Sequence, residues 1–214
     1  MRNYPVLAIS VGKPQQVSFQ RTSVETAIYK TNVIRPVYLS KTNLDGDVQA
    51  DQKNHGGPDK ALCAHCFKRY PYWEERLGKT LDLGTFGENL TIDNLIEEEA
   101  YIGDTFQFGE AIIQISQPRR PCFKLGVKMA EPTLAAQFQE TGYTGFYFRV
   151  LKTGIVNLDN PLQFISRPEF TMSISELNRI TYSNPKDCTG LETALSIDEL
   201  AESWRRGLEK KLGV

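Results

Sequence analysis

One cysteine of this chain stands where its neighbours favour chemistry. Cys122 ends the segment Gln117-Pro118-Arg119-Arg120-Pro121-Cys122, and Lys124 comes two residues later. Arg119, Arg120 and Lys124 thus place three positive charges within three residues of one thiol. Positive charge stabilises a thiolate over a thiol. A thiolate is what a soft transition metal or an electrophilic substrate requires. The same cations can hold a phosphate or another anion. Pro118 and Pro121 keep the stretch out of helix and out of a central strand. A small buried hydrophobe at a strand-end turn, with solvated arginines, is the competing reading of the same residues.

Three other segments carry reactive or ligand-reading groups. In His55-Gly56-Gly57-Pro58, two glycines before a proline cannot continue a helix. Such a loop exposes backbone N–H groups beside an imidazole, a cradle for an anion or a cofactor. Glu88 and Asn89, after Phe86-Gly87, offer a carboxylate and an amide that can read a heterocycle by hydrogen bonds. For both segments a plain turn is the alternative. Cys63-Ala64-His65-Cys66 is a C-x-x-C pair that could start a zinc site or a redox pair. Structural zinc needs four ligands, and the only other histidine is His55. On a strand, Cys63 and Cys66 point to opposite faces. Zinc therefore ranks last.

These residues need a scaffold. The chain has 214 residues, enough to bury a core without disulfide staples. Its net charge of −1 gives no chain-wide attraction to nucleic acid or a membrane surface, so a basic site must be local. No apolar run approaches the ~18 residues of a membrane span, and the N-terminus lacks a signal-peptide pattern. The expected location is the cytoplasm, with the four cysteines reduced.

Short β-branched and aromatic runs predict strands at 6–11, 22–29, 35–39, 106–108, 111–116, 145–151 and 155–156. Residues 60–66 read as a strand or the lead into a helix. Apolar residues at 67, 70, 73 and 77 mark one helical face, stopped at Gly78. Residues 132–140 form the one convincing helix between 80 and 166. Many short strands with scattered helices suggest a closed or partly closed β-barrel. Beyond Arg167-Pro168 the pattern changes. Ser173 with Glu176 and Ser196 with Glu199 match capping boxes, and Asp187 can cap a third stretch. The expected organisation is a β-barrel domain over 1–167 and a three-helix subdomain over 168–214, the latter removable without loss of the site.

Taken in order and spacing, several segments resemble the MOSC family, named for the C-terminal domain of molybdenum-cofactor sulfurases. They are Asp45-Gly46-Asp47, His55-Gly56-Gly57-Pro58-Asp59-Lys60-Ala61-Leu62, Phe86-Gly87-Glu88-Asn89-Leu90, Gly103-Asp104, and the run from Gln114 to Leu125. The match is closest to the stand-alone bacterial YiiM-like branch and covers nearly the whole chain, three-helix tail included. The resemblance implies a mainly β fold with α, a MOSC-type barrel of the pyruvate kinase insert kind. It implies a pocket for the molybdenum cofactor (molybdopterin), with Cys122 as metal ligand and catalytic centre. Arg119, Arg120 and Lys124 would face the cofactor's phosphate. His55, Gly56 and Gly57 would lie along the pterin, with Glu88 and Asn89 beside it. Related branches reduce N-hydroxylated small molecules, including base analogues such as 6-hydroxylaminopurine. Electrons would come from a separate redox protein, because the chain shows no flavin or iron–sulfur motif. The Cys63/Cys66 pair lies outside the family pattern. Two further readings stand beside this one. The first is a carrier or sulfur-transfer module that holds the cofactor or a sulfane sulfur on Cys122. The second is a zinc-stabilised interaction domain built on Cys63 and Cys66.

Overall fold

Residue alternation along the strands builds one curved sheet. The computed structural model describes residues 2–19 and 22–213. Its strands are β1 (Asn3–Tyr4), β2 (Val6–Val11), β3 (Gln15–Phe19), β4 (Thr22–Thr26), β5 (Thr31–Asn32), β6 (Val37–Leu39), β7 (Leu62–Cys66), β8 (Leu90–Ile92), β9 (Thr105–Phe108), β10 (Ala111–Pro118), β11 (Phe146–Lys152), β12 (Gly154–Val156) and β13 (Leu162–Ser166). Nine of them pair in the order β1-β13-β9-β10-β11-β7-β8-β2-β5. Only Pro5 separates β1, which pairs with β13, from β2, which pairs with β8. One bent segment therefore runs from β1, at one end of the order, to β2, next to the other end, and curls the sheet toward a barrel. Pro5 has no N–H for the ladder; its carbonyl accepts from Asp93 N at 2.8 Å.

Leu62 and Ala64, Phe106 and Phe108, Ile113 and Ile115, and Phe146 and Phe148 are all fully buried. Their period of two puts one face of each strand into the core. A register shift between Ile115 and Gln117 interrupts the β10–β11 ladder. Such a bulge bends the strand and re-aims the residues beyond it, here Pro118 and Arg119.

The helices are α1 (Gln52–His55), α2 (Tyr70–Leu77), α3 (Phe123–Met129), α4 (Leu134–Thr141), α5 (Ile174–Asn178), α6 (Cys188–Leu195) and α7 (Glu202–Leu212). Helix α2 ends at Gly78, whose φ of +64° suits glycine. Tyr70 and Trp73 from α2 join Phe86, Leu125, Met129, Leu134 and Phe138 in a second apolar cluster. Two capping predictions hold. Ser173 accepts from Glu176 N at 3.1 Å, and Asp187 accepts from Gly190 N at 2.9 Å. The third fails. Ser196 closes α6 and donates back to Thr193 O at 2.8 Å, and α7 begins only at Glu202. Helix α3 and strand β3 lie outside the predicted elements, and β4 falls within the strand predicted at 22–29.

The C-terminal helices do not stand apart. Ile174, Leu177, Ile180, Leu191, Trp204 and Leu208 belong to the same apolar cluster as Phe146 and Phe148 of the barrel. Ala201 N donates to Ser116 O at 2.9 Å, and Ile174 N donates to Ala100 O at 2.8 Å. The expectation that 168–214 can be removed conflicts with this shared core. No helix among the described residues is long and apolar enough to cross a membrane.

Candidate functional site

The site grows from the outer face of the barrel. Leu62, Ala64, Phe146 and Phe148 point inward, so Cys63 and Tyr147 between them point the other way. These two are direct cross-strand partners. They line a cleft of about 660 Å³, including its open mouth. The segment after β10 supplies Arg119, Arg120 and Cys122; the end of β4 and the turn after it supply residues 26–28; the 47–51 turn and α1 supply Asp47, Asp51 and His55.

Arg119 is held from both ends. Its N–H donates to Gly145 O at 3.0 Å, and its Nη2 donates to Phe86 O at 2.6 Å. The residue is buried, and its Nη1 has no hydrogen-bond partner among the described residues. A buried unpaired guanidinium nitrogen is costly unless a ligand meets it. Cys122 has extended backbone, φ −117° and ψ 148°, directly before α3, and its thiol is half-buried.

One wall is pinned by a polar network. Asp47 forms an ion pair with Lys30 and accepts from Gly12 N at 2.8 Å. Asn89 Nδ2 donates to Asp47 Oδ2 at 2.9 Å and to Ser10 O at 3.1 Å. Asn89 Oδ1 accepts from Cys63 N at 3.1 Å. Every polar atom of the Asn89 side chain is thus engaged in holding β2, β7 and the 47 turn together.

Charge in the cleft is unbalanced. Lys30, Lys60, Arg119, Arg120 and Lys124, five cationic side chains, face two carboxylates, Asp47 and Asp51. Lys60 Nζ donates to Asn54 O at 2.8 Å and Lys124 Nζ to Glu25 O at 2.8 Å. Arg120 stacks its guanidinium 4.9 Å from the Trp204 ring and donates to Ser203 O at 3.3 Å. These partners are carbonyls and a ring, so the positive charges are held in place without being cancelled. The consequence shows in the neighbours. Burial, then repulsion from Arg119, lowers the His55 pKa to about 4. Burial, then Arg120, lowers that of Lys60. A concave site of one sign concentrates the opposite sign.

The structure brings together Cys122, His55, Asn89, Arg119, Arg120 and Lys124 of the residues named from sequence. It sets Glu88, Gly56 and Gly57 outside the lining. Glu88 is fully buried and accepts from the Tyr70 hydroxyl and from Thr91 Oγ1 at 3.1 Å. Gly56 spends its N–H on Gln52 O at 3.1 Å, closing α1, and Gly57 turns the chain with φ +99°. Gly87 lines the cleft in their stead; its φ is +79°, and a Cβ there would strike Ile28. Sequence reading gave no role in this cleft to Lys30, Asp47, Lys60, Cys63 or Tyr147; it quoted Asp47 and Lys60 only as parts of matching segments and weighed Cys63 only for a zinc or redox pair. Strand alternation around Leu62 and Ala64 was the available signal for Cys63.

A zinc site on Cys63 and Cys66 does not form. Cys66 lies on the opposite side of β7 from Cys63, fully buried, and burial pushes its thiol up to about 12. No group of three His, Cys, Asp or Glu side chains suited to a metal occurs among the described residues.

His65, between those cysteines, sits in an aromatic box. Its ring lies 4.8 Å from Phe86 and 5.7 Å from Phe138. Its ring nitrogens make no well-formed hydrogen bond among the described residues, the Thr144 backbone being the nearest polar neighbour to act on the ring. Burial, then Arg119, lowers its pKa from 6.5 to about 3. The neutral ring's contribution to stability is therefore complete above pH 6.5 and is lost as pH falls towards 3. His65→Phe is expected to remove that acid sensitivity. In urea titrations it should match wild type at pH 7 and exceed it at pH 4 by on the order of 3 kcal/mol.

Comparison with known proteins places this geometry. A model of the MOSC domain matches residues 51–163, and a model of the YiiM-like 3-alpha helix domain matches residues 172–213. The chain is 46% identical over 208 residues to the protein YflK of Bacillus subtilis (strain 168), covering 97% of this chain and 94% of that one. It is 37% identical over 211 residues to protein YiiM of Escherichia coli (strain K12), covering 97% and 92%. A protein of Gibberella moniliformis (strain M3125 / FGSC 7600) named Reductase is 33% identical over 161 residues, 73% of this chain and 28% of that longer protein. The crystal structure of YiiM from Geobacillus stearothermophilus matches with a TM-score of 0.83 at 35% identity, covering 98% of this chain and 99% of that one. The MOSC match contains α1, the floor strands β7 and β11, and Cys122. The chain belongs to the MOSC domain family, in the branch that carries the YiiM-like three-helix domain.

Proposed function

We propose that the cleft holds a molybdenum cofactor, with Cys122 as the protein ligand to the metal, and that the protein reduces N-hydroxylated small molecules such as 6-hydroxylaminopurine. One observation carries the reading: a half-buried thiol shares its cleft with five cations, and one of these, Arg119, is buried with an unpaired nitrogen. The residues fit a group that carries both an anionic phosphate and a metal that takes sulfur ligands. Lys60, Arg120 and Lys124 keep their charges available for the phosphate, because carbonyls and a ring hold them. His55 stays neutral above about pH 4, so it can both donate and accept hydrogen bonds along the pterin. Asn89 and Asp47 keep the wall rigid. When bound, the cofactor supplies the two-electron centre at which an N–O bond is reduced.

Electrons reach this site from a separate redox protein. The name Reductase borne by the Gibberella relative is consistent with redox chemistry in this branch. The test is conversion of 6-hydroxylaminopurine to adenine with an artificial low-potential electron donor. Protein from a host that makes the cofactor should form adenine, and protein from a host that cannot make it should not. Equal product from both would refute the reading, and molybdenum bound without any product would leave a carrier.

A further inference from the structure

We propose that Tyr147 is the proton donor of the cleft, giving its phenolic proton to the hydroxyl oxygen that leaves an N-hydroxylated substrate. The proposal rests on the function proposed above. The net reaction is R–NH–OH + 2 e⁻ + 2 H⁺ → R–NH₂ + H₂O. The N–O bond breaks, nitrogen is reduced, and the two electrons come from a flavin- or iron–sulfur-bearing partner protein. Hydroxide is a poor leaving group, so a proton must meet the oxygen as the bond breaks.

Few groups of the cleft can supply it. Arg119 does not release a proton. Lys30 is paired with Asp47, and Lys60 and Lys124, held by backbone carbonyls, are the cations proposed above to hold the cofactor's phosphate. His55 is neutral above about pH 4 and holds no imidazolium proton to give. The floor pair, Cys63 and Tyr147, remains. Tyr147 has the longer side chain and the more oxygen-like acid.

Its surroundings suit the role. Tyr147 is 8% exposed and stands directly across the ladder from Cys63. Burial, then the neighbouring Cys63, pushes the phenol up, so it carries its proton throughout the physiological range. Water has a pKa of about 15.7, so hydroxide leaving the substrate is basic enough to take that proton. Arg119, a fixed cation close by, favours the phenolate that is left. Its backbone is anchored: Ser116 Oγ donates to Tyr147 O at 3.1 Å. Water at the open mouth returns the proton to the phenolate and supplies the second one to nitrogen.

Tyr147→Phe keeps the ring and removes only the O–H. Molybdenum-loaded wild type and Y147F are compared in two readouts. In the first, no electron donor is present, and calorimetry measures affinity for 6-hydroxylaminopurine and for adenine, which lacks the hydroxyl. Y147F should keep its metal, its melting temperature and its adenine affinity, and lose about 5-fold in affinity for the hydroxylated base. In the second, a single turnover with reduced enzyme should slow by about 100-fold or more. A Y147F protein with wild-type turnover and an unchanged preference for the hydroxylated base overturns this proposal alone. A wild type that holds molybdenum and reduces nothing overturns the function proposed above, and this proposal with it.

Discussion

Ending the chain at Arg167 is expected to leave a protein that does not fold. Leu177, Ile180, Leu191, Trp204 and Leu208 are each no more than 1% exposed and pack in the barrel's own cluster. Losing one large buried side chain costs about 2–5 kcal/mol, and a whole domain has about 5–15 kcal/mol in hand. Removing five such side chains exceeds that margin. The cut also strands backbone groups of the barrel, among them Ser116 O, which accepts from Ala201 N. It removes Trp204 and Ser203 from beneath Arg120, so the cleft loses a wall as the core loses its cover. Circular dichroism with urea titration is the check. The truncated chain should show no cooperative transition. A sharp transition near the wild-type midpoint would mean that barrel and helices do not share one core.

Replacing Arg119 by Met is expected to remove bound cofactor while changing the metal-free fold little. Two stability effects oppose each other. Relief of a buried cation with an unpaired Nη1 favours the variant. Loss of the bond to Phe86 O, 2.6 Å in wild type, strands a buried carbonyl and costs about 1–3 kcal/mol. The net change for metal-free protein should lie within about 2 kcal/mol. Binding has no such compensation. A charge-assisted bond to an anion contributes about 1.5–3 kcal/mol, so affinity for the cofactor should fall by roughly ten- to a hundredfold and molybdenum content with it. A variant that keeps its molybdenum would show that Arg119 serves the fold and not the ligand.

How much of this was legible depended on how local the signal was. Gly78, Ser173 and Asp187 act on residues three or four positions away, and each does what its pattern implies. Ser196 has the same pattern, yet its hydroxyl turns backward to Thr193, a choice the spacing alone does not record. Strand β3 was missed because Gln15, Gln16 and Ser18 are exposed and leave no buried face to read. Helix α3 was hidden by Pro121 before it and Gly126 within it. Gly126 is required there because a Cβ would meet Glu131 O at 2.7 Å. The predicted strand at 22–29 stops at Thr26, and the rest turns into the cleft wall.

The site divides in the same way. Cys122, Arg119 and Arg120 are neighbours in sequence, so their meeting was visible at once. Cys63 and Tyr147 meet only through the β7–β11 register, across 84 positions by their numbering. Lys30 and Asp47 meet through an ion pair between two turns. Glu88 was assigned to the cleft because it adjoins Asn89, but Tyr70 and Thr91 draw its carboxylate into the interior. The three C-terminal helices read as self-contained because their caps and amphipathic stretches are local, whereas the surface they bury belongs to the barrel.

The central claim is that Cys122 holds molybdenum in this cleft. Its most direct test is elemental analysis of wild type and Cys122→Ser, both expressed with cofactor biosynthesis intact and both checked for an unchanged far-UV circular dichroism spectrum. Wild type should carry molybdenum close to one atom for each chain, and the variant should carry roughly tenfold less or lower still. Equal molybdenum in the two proteins, or none in wild type, would contradict the account.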